Sequence, residues 1–388
     1  MSELVNNLRK DFQSKFGSDP LIIRSPGRVN LIGEHTEYNQ GFTLTAATDR
    51  AAYIAIGKSD ERDCNIIAAD YSAKITFDIE YELTPEPDGD WVNYVIGVVD
   101  HIKKRGIALS GFNLMFTSNI PIGVGVSSSS AIVCGVAFAL NRIFGLGFMK
   151  TEIAEISRLS ENAFVGSNSG IVDHMTTCIG KQNEAMLIDC RSQEHAYFSV
   201  DLNGYSLVLL DTKIRQNPIH SEFLLRQEQC KIGLLAMQLL NSSIHSLRDA
   251  TMTDLEKVKE QINPITYNRC KYVIEENARV LKACEALRKK DLATFGDLMF
   301  QTHIGLRKKY EVSCRELNVL GRLAKYEDDI IGARMMGGGF GGCTINLIKS
   351  DRVEHVDKIF RTEYQILAMS EYKMHKIELS NGISLIEN

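Results

Sequence analysis

Residues 26–39 crowd side chains that can bind hydroxyl or phosphate groups between two glycines. Arg28 presents a planar fork of five N–H donors, which suits the oxygens of a phosphate group. Glu34, His35 and Glu37 can exchange hydrogen bonds with the several hydroxyls of a sugar. A solvated turn with a capping acid has a similar composition, so the segment by itself leaves both interpretations open.

Residues 121–130, the serine loop, place glycines and then four consecutive serines before an apolar helical pattern. Glycine lets a backbone approach a ligand closely, and the unpaired N–H groups at a helix N-terminus favour an anion. No lysine follows the glycines, so this is not a Walker loop. We favour phosphate binding over a plain serine cap. The candidate residues are Gly123, Gly125, Ser127, Ser128 and Ser129.

Residues 337–342, the glycine loop, contain five glycines and match GxGxxG. A dinucleotide-binding loop should follow a strand and open a helix, whereas a strand-like run follows here. We therefore reject dinucleotide binding and predict a loop whose backbone lies against a ligand, with Gly338 and Gly339 as candidates.

Asp173 follows Gly170 and a helical stretch that contains Glu161. A carboxylate near a phosphate site can orient a hydroxyl or take its proton, although a lone aspartate is more often a cap or turn residue. His174 could pair with Asp173 around a metal, but no further His or Cys lies at ligand spacing. A zinc site is not predicted.

The elements that must position these segments mix helices with strands, which predicts an α+β protein. We place a domain boundary near residue 200, giving domains 1–200 and 201–388. Helical patterns cover residues 4–16, 130–143, 220–247 and 267–326. Strand-like patterns cover residues 21–24, 112–116, 185–188, 207–210 and 343–348.

Composition excludes several classes of protein. The chain has 388 residues, enough for two cores, and a net charge of −5 without a basic block, so nucleic-acid binding is not expected. The most apolar stretch, residues 131–140, is shorter than the roughly 20 residues that cross a bilayer. Nine scattered cysteines without a CxxC pair fit reduced thiols in the cytoplasm.

Taken in order, the three loops resemble the three motifs of the GHMP sugar and metabolite kinases, and those of galactokinases in particular. Residues 26–39 match PGRVNLIGEHTDYN with one change, and residues 121–129 match PxGxGxSSS. Residues 332–343 match GARxxGxGFGGC. Further agreement at residues 91–95, 187–192 and 310–317 extends the resemblance from about residue 20 to the end of the chain.

The resemblance implies two α+β domains with the active site between them. The first would resemble ribosomal protein S5 domain 2, and the second would be ferredoxin-like. The implied activity is transfer of the γ-phosphate of ATP, with Mg²⁺, to the anomeric hydroxyl of a free hexose. The family also implies a monomer or weak dimer whose ligands are small molecules.

The resemblance also implies residue roles. Asp173 matches the catalytic base, with Arg28 beside it and the transferring phosphate, while Ser129 and Glu161 match Mg²⁺ ligands. The positions that match sugar contacts are Arg28, Glu34, His35, Glu37, Gly170, Asp173 and Phe223. The positions that match nucleotide contacts are Trp91, Tyr94, Gly123, Gly125, Ser127, Ser128, Ser129, Gly338 and Gly339.

Several positions depart from the family pattern. Glu37 and Phe223 stand where galactokinases carry Asp and Tyr, which contact the 3- and 4-hydroxyls of the sugar. Ser169, His174 and Met336 replace Cys, Gln and Thr. A site that lacks a partner for one hydroxyl can discriminate strongly. The departures therefore leave open a galactokinase or a kinase for mannose, glucose, an N-acetylhexosamine or a uronic acid.

Two other classes of function are less favoured. A catalytically silent sugar sensor on this fold should show damage at the serine loop or at the base, yet both are present. A mevalonate or homoserine kinase would not need the Glu34–His35 pair or residues 312–314, which point to a sugar.

Overall fold

The computed structural model describes residues 3–87, 91–215 and 219–387. The helices are α1 Glu3–Phe16, α2 Val92–Lys104, α3 Ser128–Phe144, α4 Lys150–Val165, α5 Val172–Ile179, α6 Ile219–Leu240, α7 Met252–Lys257, α8 Pro264–Arg288, α9 Leu292–Gly305, α10 Arg315–Tyr326 and α11 Val353–Ala368. The strands are β1 Leu21–Ile32, β2 Phe42–Lys58, β3 Asp63–Ala68, β4 Ala73–Asp78, β5 Phe112–Ser118, β6 Glu184–Asp189, β7 His195–Ser199, β8 Tyr205–Asp211, β9 Ile330–Met336, β10 Cys343–Lys349, β11 Lys373–Ile377 and β12 Ser384–Ile386.

The first sheet has eight strands and is organised around the long strand β2. Its main order is β12-β1-β2-β5-β3-β4. β5 pairs with residues 52–58 of β2, and β6 pairs with residues 42–45 of the same strand. β7 pairs with the other edge of β6. Residues 43–57 of β2 are almost all buried, because the strand is paired along both edges and covered by helices. β2 thus connects β1, which carries the first part of the segment 26–39, with the rest of the first half.

The second sheet contains β11-β8-β10-β9, and all of its pairings are antiparallel. Strands β9 and β10 enclose the glycine loop, so this loop is a hairpin connection at one end of the sheet. One largely antiparallel sheet and one wholly antiparallel sheet, both packed with helices, confirm the α+β class that the sequence predicts.

Helix α3 begins immediately after Ser127 and is buried along most of its length. Small and apolar side chains let it lie against β1 and β2, and it ends at Gly145, whose φ of 65° suits a helix C-terminus. Its first turn therefore opens at the serine loop. The predicted helix at residues 130–143 is confirmed.

The predicted helix at residues 220–247 was too long, because α6 ends at Leu240. The side chain of Asn241 accepts hydrogen bonds from the amide and hydroxyl of Ser243. Such a local turn competes with continued helix formation.

The two halves of the chain are joined through shared structure. β12 pairs with β1, so residues 384–386 complete the first sheet. The largest hydrophobic cluster also combines residues of both halves, including Val280 and Met336 with Ile23 and Leu44. The boundary near residue 200 remains a prediction.

Candidate active site

Asp173 lies in the first turn of α5, where it faces Arg28 on β1 and Ser127 before α3. Arg28 binds it with two hydrogen bonds of 2.6 Å, from Nε to Oδ1 and from Nη2 to Oδ2. The Ser127 hydroxyl donates to Oδ2. The base and the serine loop predicted from the sequence therefore share one site.

The charge of this cluster is fixed by its partners. Burial raises the pKa of Asp173, but the charge of Arg28 and the hydrogen bonds from Ser127 and Arg28 outweigh burial. The pKa of Asp173 therefore lies below its ordinary value, and the group is a carboxylate at neutral pH. A carboxylate that is paired in this way can orient a hydroxyl by accepting its hydrogen bond.

Glu34 lies in the signature turn, which we define as residues 33–36 after the end of β1. Its Oε1 accepts hydrogen bonds of 3.2 and 3.1 Å from Arg334 and one of 2.7 Å from the amide of Gly337. Its Oε2 accepts one of 2.9 Å from Asn30. Glu34 therefore connects the signature turn to β9 and to the glycine loop.

His35 adopts a φ of 63° within the signature turn, and its ring is buried. Burial lowers its pKa to about 3, so the ring is neutral at physiological pH. Nδ1 pairs with the hydroxyl of Tyr38 at 2.9 Å, and the ring lies 4.8 Å from that of Tyr310. Phe223 packs against both His35 and Tyr38, with ring centroids 5.8 and 4.8 Å away.

Glu37 reaches the start of α5, where its Oε1 accepts a hydrogen bond of 3.0 Å from the amide of Val172. Gly170 makes room for it, since a Cβ at that position would lie 1.9 Å from Oε1. Burial and then repulsion from Asp173 raise the pKa of Glu37 to about 7. Glu37 can therefore donate or accept a hydrogen bond near neutral pH.

These side chains surround a cavity of about 120 Å³, which we call the acidic cavity. It is lined by Arg28, Asn30, Gly33, Glu34, His35, Glu37, Tyr38, Thr43, Val172, Asp173, Phe223, Gly337 and Gly338. Gly170 lines a neighbouring cavity of about 320 Å³ that shares Glu37, Tyr38 and Phe223. All sequence-predicted sugar contacts therefore lie in these two adjoining cavities.

Helix α8 supports the signature turn from the C-terminal half. Glu276, fully buried, accepts a hydrogen bond of 2.9 Å from the amide of Gly33, and the Tyr272 hydroxyl donates to the carbonyl of Glu34 at 3.0 Å. Asn277 accepts a hydrogen bond of 2.9 Å from the amide of Phe42. These contacts hold the turn in a fixed position beside Asp173.

A second cavity, of about 230 Å³, lies between the serine loop and the glycine loop, and we call it the glycine cavity. Gly123, Gly125, Gly338 and Gly339 line it, as the sequence predicts, together with Arg215. The positive φ of 92° at Gly339 and the closeness of a Cβ there to the Val312 carbonyl, 2.1 Å, both require glycine. The Cys343 thiol donates to the Val124 carbonyl at 3.1 Å and ties the two loops together.

Ser128 and Ser129 form the first turn of α3, whose unpaired amides favour an anion beside the glycine cavity. Trp91 and Tyr94 lie elsewhere, in the packing of α2. The Trp91 ring is 5.5 Å from Phe116 and does not line the glycine cavity. Burial raises the pKa of Tyr94 to about 12, with a further contribution from Glu161.

Ser129 and Glu161, the proposed Mg²⁺ ligands, offer a hydroxyl oxygen and a carboxylate. Glu161 is 4% exposed, and its Oε2 pairs with Nε2 of His174 at 2.8 Å. Burial lowers the pKa of His174, but Glu161 outweighs burial and raises it to about 9. Within the described ranges the other oxygen of Glu161 has no hydrogen-bond partner. A carboxylate and a hydroxyl fit Mg²⁺, which keeps several water and phosphate ligands.

Within residues 3–87, 91–215 and 219–387, no three His, Cys, Asp or Glu side chains cluster as a metal site, and no helix is long and apolar enough to cross a membrane.

Sequence reasoning missed Arg334, Glu276, Tyr310 and Arg215. Arg334 lies inside the third motif and could have been found there. Tyr310 begins residues 310–317, which already agree with the family pattern. Glu276 and Arg215 carry no local signal, since the role of each is defined by folding.

Comparisons with known proteins agree with this geometry. A family model described as the galactokinase galactose-binding signature matches residues 10–58. Models of the GHMP kinase N-terminal and C-terminal domains match residues 93–181 and 283–365. The match to the galactose-binding signature includes Glu37, so the signature tolerates Glu in place of Asp at this position.

Similar proteins cover nearly the whole chain. A galactokinase of Clostridium beijerinckii is 35% identical and covers 98% of each chain, and one of Thermosipho africanus is 34% identical over 94% of this chain and 99% of its own. The structure of Lactococcus lactis galactokinase complexed with galactose has a TM-score of 0.92 at 27% identity, covering 98% of this chain and 100% of that one. Methanococcus jannaschii mevalonate kinase, with a TM-score of 0.69 at 19% identity over 94% and 100% of the two chains, shares the fold. The chain belongs to the galactokinase family of the GHMP kinases.

Proposed function

We propose that this protein transfers the γ-phosphate of ATP to the anomeric hydroxyl of galactose, giving galactose 1-phosphate and ADP. The observation that carries the proposal is the Arg28–Asp173–Ser127 cluster, which connects the acidic cavity with the serine loop. A sugar in the acidic cavity and a triphosphate in the glycine cavity would meet at this cluster. Its membership of the galactokinase family supports the choice of galactose.

Asp173 would hold the attacking hydroxyl. Its carboxylate is ionised and accepts a hydrogen bond, so it would align the sugar oxygen with the γ-phosphorus and receive its proton as the new bond forms. A carboxylate with a low pKa is a weak base, but phosphoryl transfer has a loose transition state in which positioning does most of the work. The sugar oxygen would need little deprotonation before attack.

Arg28 would bind the transferring phosphate as well as Asp173. Its guanidinium is partly buried and charged, and it lies next to the carbonyl of Gly125 in the serine loop. Positive charge placed where charge develops on the phosphate stabilises the transition state. The Ser127 hydroxyl and the first turn of α3 would add donors for the phosphate oxygens.

We further propose that Ser129 and Glu161 hold Mg²⁺. When bound there, Mg²⁺ would neutralise part of the charge of the ATP phosphates. Trp91 and Tyr94 remain proposed neighbours of the adenine. His174 would orient Glu161, because the imidazolium donates one N–H to Glu161 and the other, at 3.2 Å, to the carbonyl of Gly170.

The glycines and serines of the two loops would wrap the phosphates. Glu34, His35, Glu37, Gly170 and Phe223 would contact the sugar. A kinase for mannose, glucose, an N-acetylhexosamine or a uronic acid is not favoured by the family comparisons, and a catalytically silent sensor is disfavoured by the intact cluster at Asp173.

We also propose a cytoplasmic location and a monomer or weak dimer, with no nucleic-acid or membrane partner. All nine cysteines are free, and seven of them are buried, which suits a reducing compartment. Size-exclusion chromatography with light scattering would test the oligomeric state.

A coupled assay of ADP release with Mg-ATP and a panel of free hexoses tests the activity. We expect the highest kcat/KM with galactose. Asp173→Asn should lower kcat by about 100-fold or more while KM for ATP changes little. Asp60→Asn, at an exposed carboxylate, is the matched control. Undiminished turnover of the Asp173→Asn enzyme, or preference for another hexose, would contradict the proposal.

A further inference from the structure

Another cavity, of about 400 Å³, is enclosed by helices α8 and α9 and the π-helical turn Leu306–Tyr310. It shares no lining residue with the acidic cavity or the glycine cavity. Its polar lining consists of Glu275, Arg279, Lys282, Gln301 and Lys309. We call it the basic cavity.

Positive charge is in excess in the basic cavity. Glu275 is the carboxylate of its lining, and it is shared by Lys309 and by Nη1 of Arg279, the latter at 3.5 Å. Lys282 is exposed at the rim and forms no ion pair with any described residue. Three cations thus face Glu275 and, beneath Arg279, Glu276, which leaves one positive charge in excess, so the cavity would attract an anion.

Arg279 gives the second observation. The residue is 8% exposed, and its Nε donates to Glu276 at 2.7 Å. Its Nη2 is buried and has no hydrogen-bond partner among the described residues. This nitrogen lies against Gly305, where a Cβ would be 3.3 Å away, and Gly305 lines the cavity. A buried guanidinium donor is normally paired, so an unpaired one beside a basic cavity points to a missing acceptor.

We propose that the basic cavity binds a phosphate group, either as inorganic phosphate or as part of a small phosphomonoester. A phosphate carries nearly two negative charges at neutral pH, which suits a cavity with positive charge in excess. The fork of Arg279 suits phosphate oxygens, and the lysines add flexible donors. The inference does not depend on the proposed sugar or on the catalytic role of Asp173.

The position of the cavity connects it with the signature turn. Glu276 accepts hydrogen bonds from Arg279 on one side and from the amide of Gly33 on the other. A phosphate on Arg279 would therefore lie three hydrogen bonds from the turn that lines the acidic cavity. Binding would compete for the guanidinium that now helps to hold Glu276.

The test is thermal unfolding of the full chain during titration with inorganic phosphate and, separately, glycerol 3-phosphate. Sodium chloride at matched ionic strength is the control for salt. Saturating Mg²⁺ and a non-hydrolysable ATP analogue fill the nucleotide site, so that phosphate cannot act there. We expect the melting temperature to rise saturably with one or both phosphates.

Lys282→Glu and Lys309→Gln should each weaken the fitted Kd about 10-fold or more. Lys289→Glu is the matched control, because it changes a lysine at the end of the same helix that does not line the cavity. A response to glycerol 3-phosphate as well as to phosphate would support a monoester site, and a response to phosphate alone a site for the free anion. No shift beyond the salt control, or an equal Kd in all three variants, would overturn the proposal.

Discussion

The acidic cavity and the glycine cavity adjoin the same Arg28–Asp173–Ser127 cluster but are built differently. The acidic cavity depends on buried side-chain contacts between distant segments, such as the ion pair of Glu34 with Arg334 and the hydrogen bond that Glu276 accepts from the amide of Gly33. The glycine cavity is lined mainly by glycines, whose backbone forms the surface. Side chains therefore determine the chemistry of the acidic cavity, the proposed sugar side. Backbone shape determines that of the glycine cavity, the proposed phosphate side.

Because the two cavities are built differently, substitutions should affect them in different ways. On the proposed sugar side, exchanging one side chain for another would change the hydroxyl pattern that can be bound, as proposed for Glu37 and Phe223. On the phosphate side, the main sensitivity is to the addition of a side chain where none fits. The predictions below test the two sides in order of expected effect.

Arg334→Met should have the largest effect. It leaves the Glu34 carboxylate buried without its ion pair, and removing one partner of a buried pair costs about 3–5 kcal/mol. Urea unfolding would measure the loss. Arg62→Met, which breaks an exposed pair with Glu80, is the control and should change stability little. A loss below about 1 kcal/mol for Arg334→Met would show that the sugar side does not depend on this pair.

Glu37 should make stability depend on pH. Its folded pKa of about 7 exceeds the ordinary value of 4.5, so the folded state holds the proton more tightly than the unfolded state. The stabilising contribution is full below pH 4.5 and is lost as the pH rises through 7. It amounts to about 3 kcal/mol at most.

The measurement is the free energy of unfolding of the wild type minus that of Glu37→Gln at several pH values. This difference should fall by about 2–3 kcal/mol between pH 4.5 and pH 8. A difference that stays constant over this range would mean that Glu37 ionises normally in the folded protein.

Gly339→Ala should damage the phosphate side selectively. The added Cβ would meet the Val312 carbonyl at 2.1 Å and force the loop to shift. We expect KM for ATP to rise about 10-fold or more, with KM for galactose nearly unchanged. Gly147→Ala shares the positive φ, at 78°, but its Cβ would meet open space, so it controls for backbone strain alone. Equal effects of the two variants would contradict this assignment.

The smallest effect is expected from Glu37→Asp combined with Phe223→Tyr. The shorter carboxylate and the added hydroxyl would restore a partner for one sugar hydroxyl, typically about 0.5–1.5 kcal/mol. We expect kcat/KM for galactose to rise about 3- to 10-fold, with KM for ATP unchanged. No gain, or the same gain for glucose as for galactose, would mean that these positions do not select the sugar.

Sequence patterns predicted the α+β class and the positions of most helices, because apolar periodicity and motif order are local properties. They also brought Arg28, Ser127 and Asp173 together through the family resemblance. The extent of β2 was not predicted. Its alanine-rich sequence between residues 46 and 55 has little strand preference of its own, and pairing along both edges makes it a strand.

The interactions that fix the acidic cavity could not be read from sequence. Arg334 lies 300 positions after Glu34, and Glu276 lies 243 positions after Gly33. No local pattern indicates such partners, since each follows from the packing of β9 and α8 against β1. The glycine cavity was easier to predict, because clustered glycines mark a close backbone approach within a few residues.

The pairing of β12 with β1 has a consequence for biosynthesis. β12 follows every other described element in the chain, so the edge of β1 at residues 22–24 stays unpaired until β12 has been synthesised. An open strand edge is a template for pairing with other chains. Nascent copies on one polysome would therefore be prone to associate through this edge of β1 until β12 covers it.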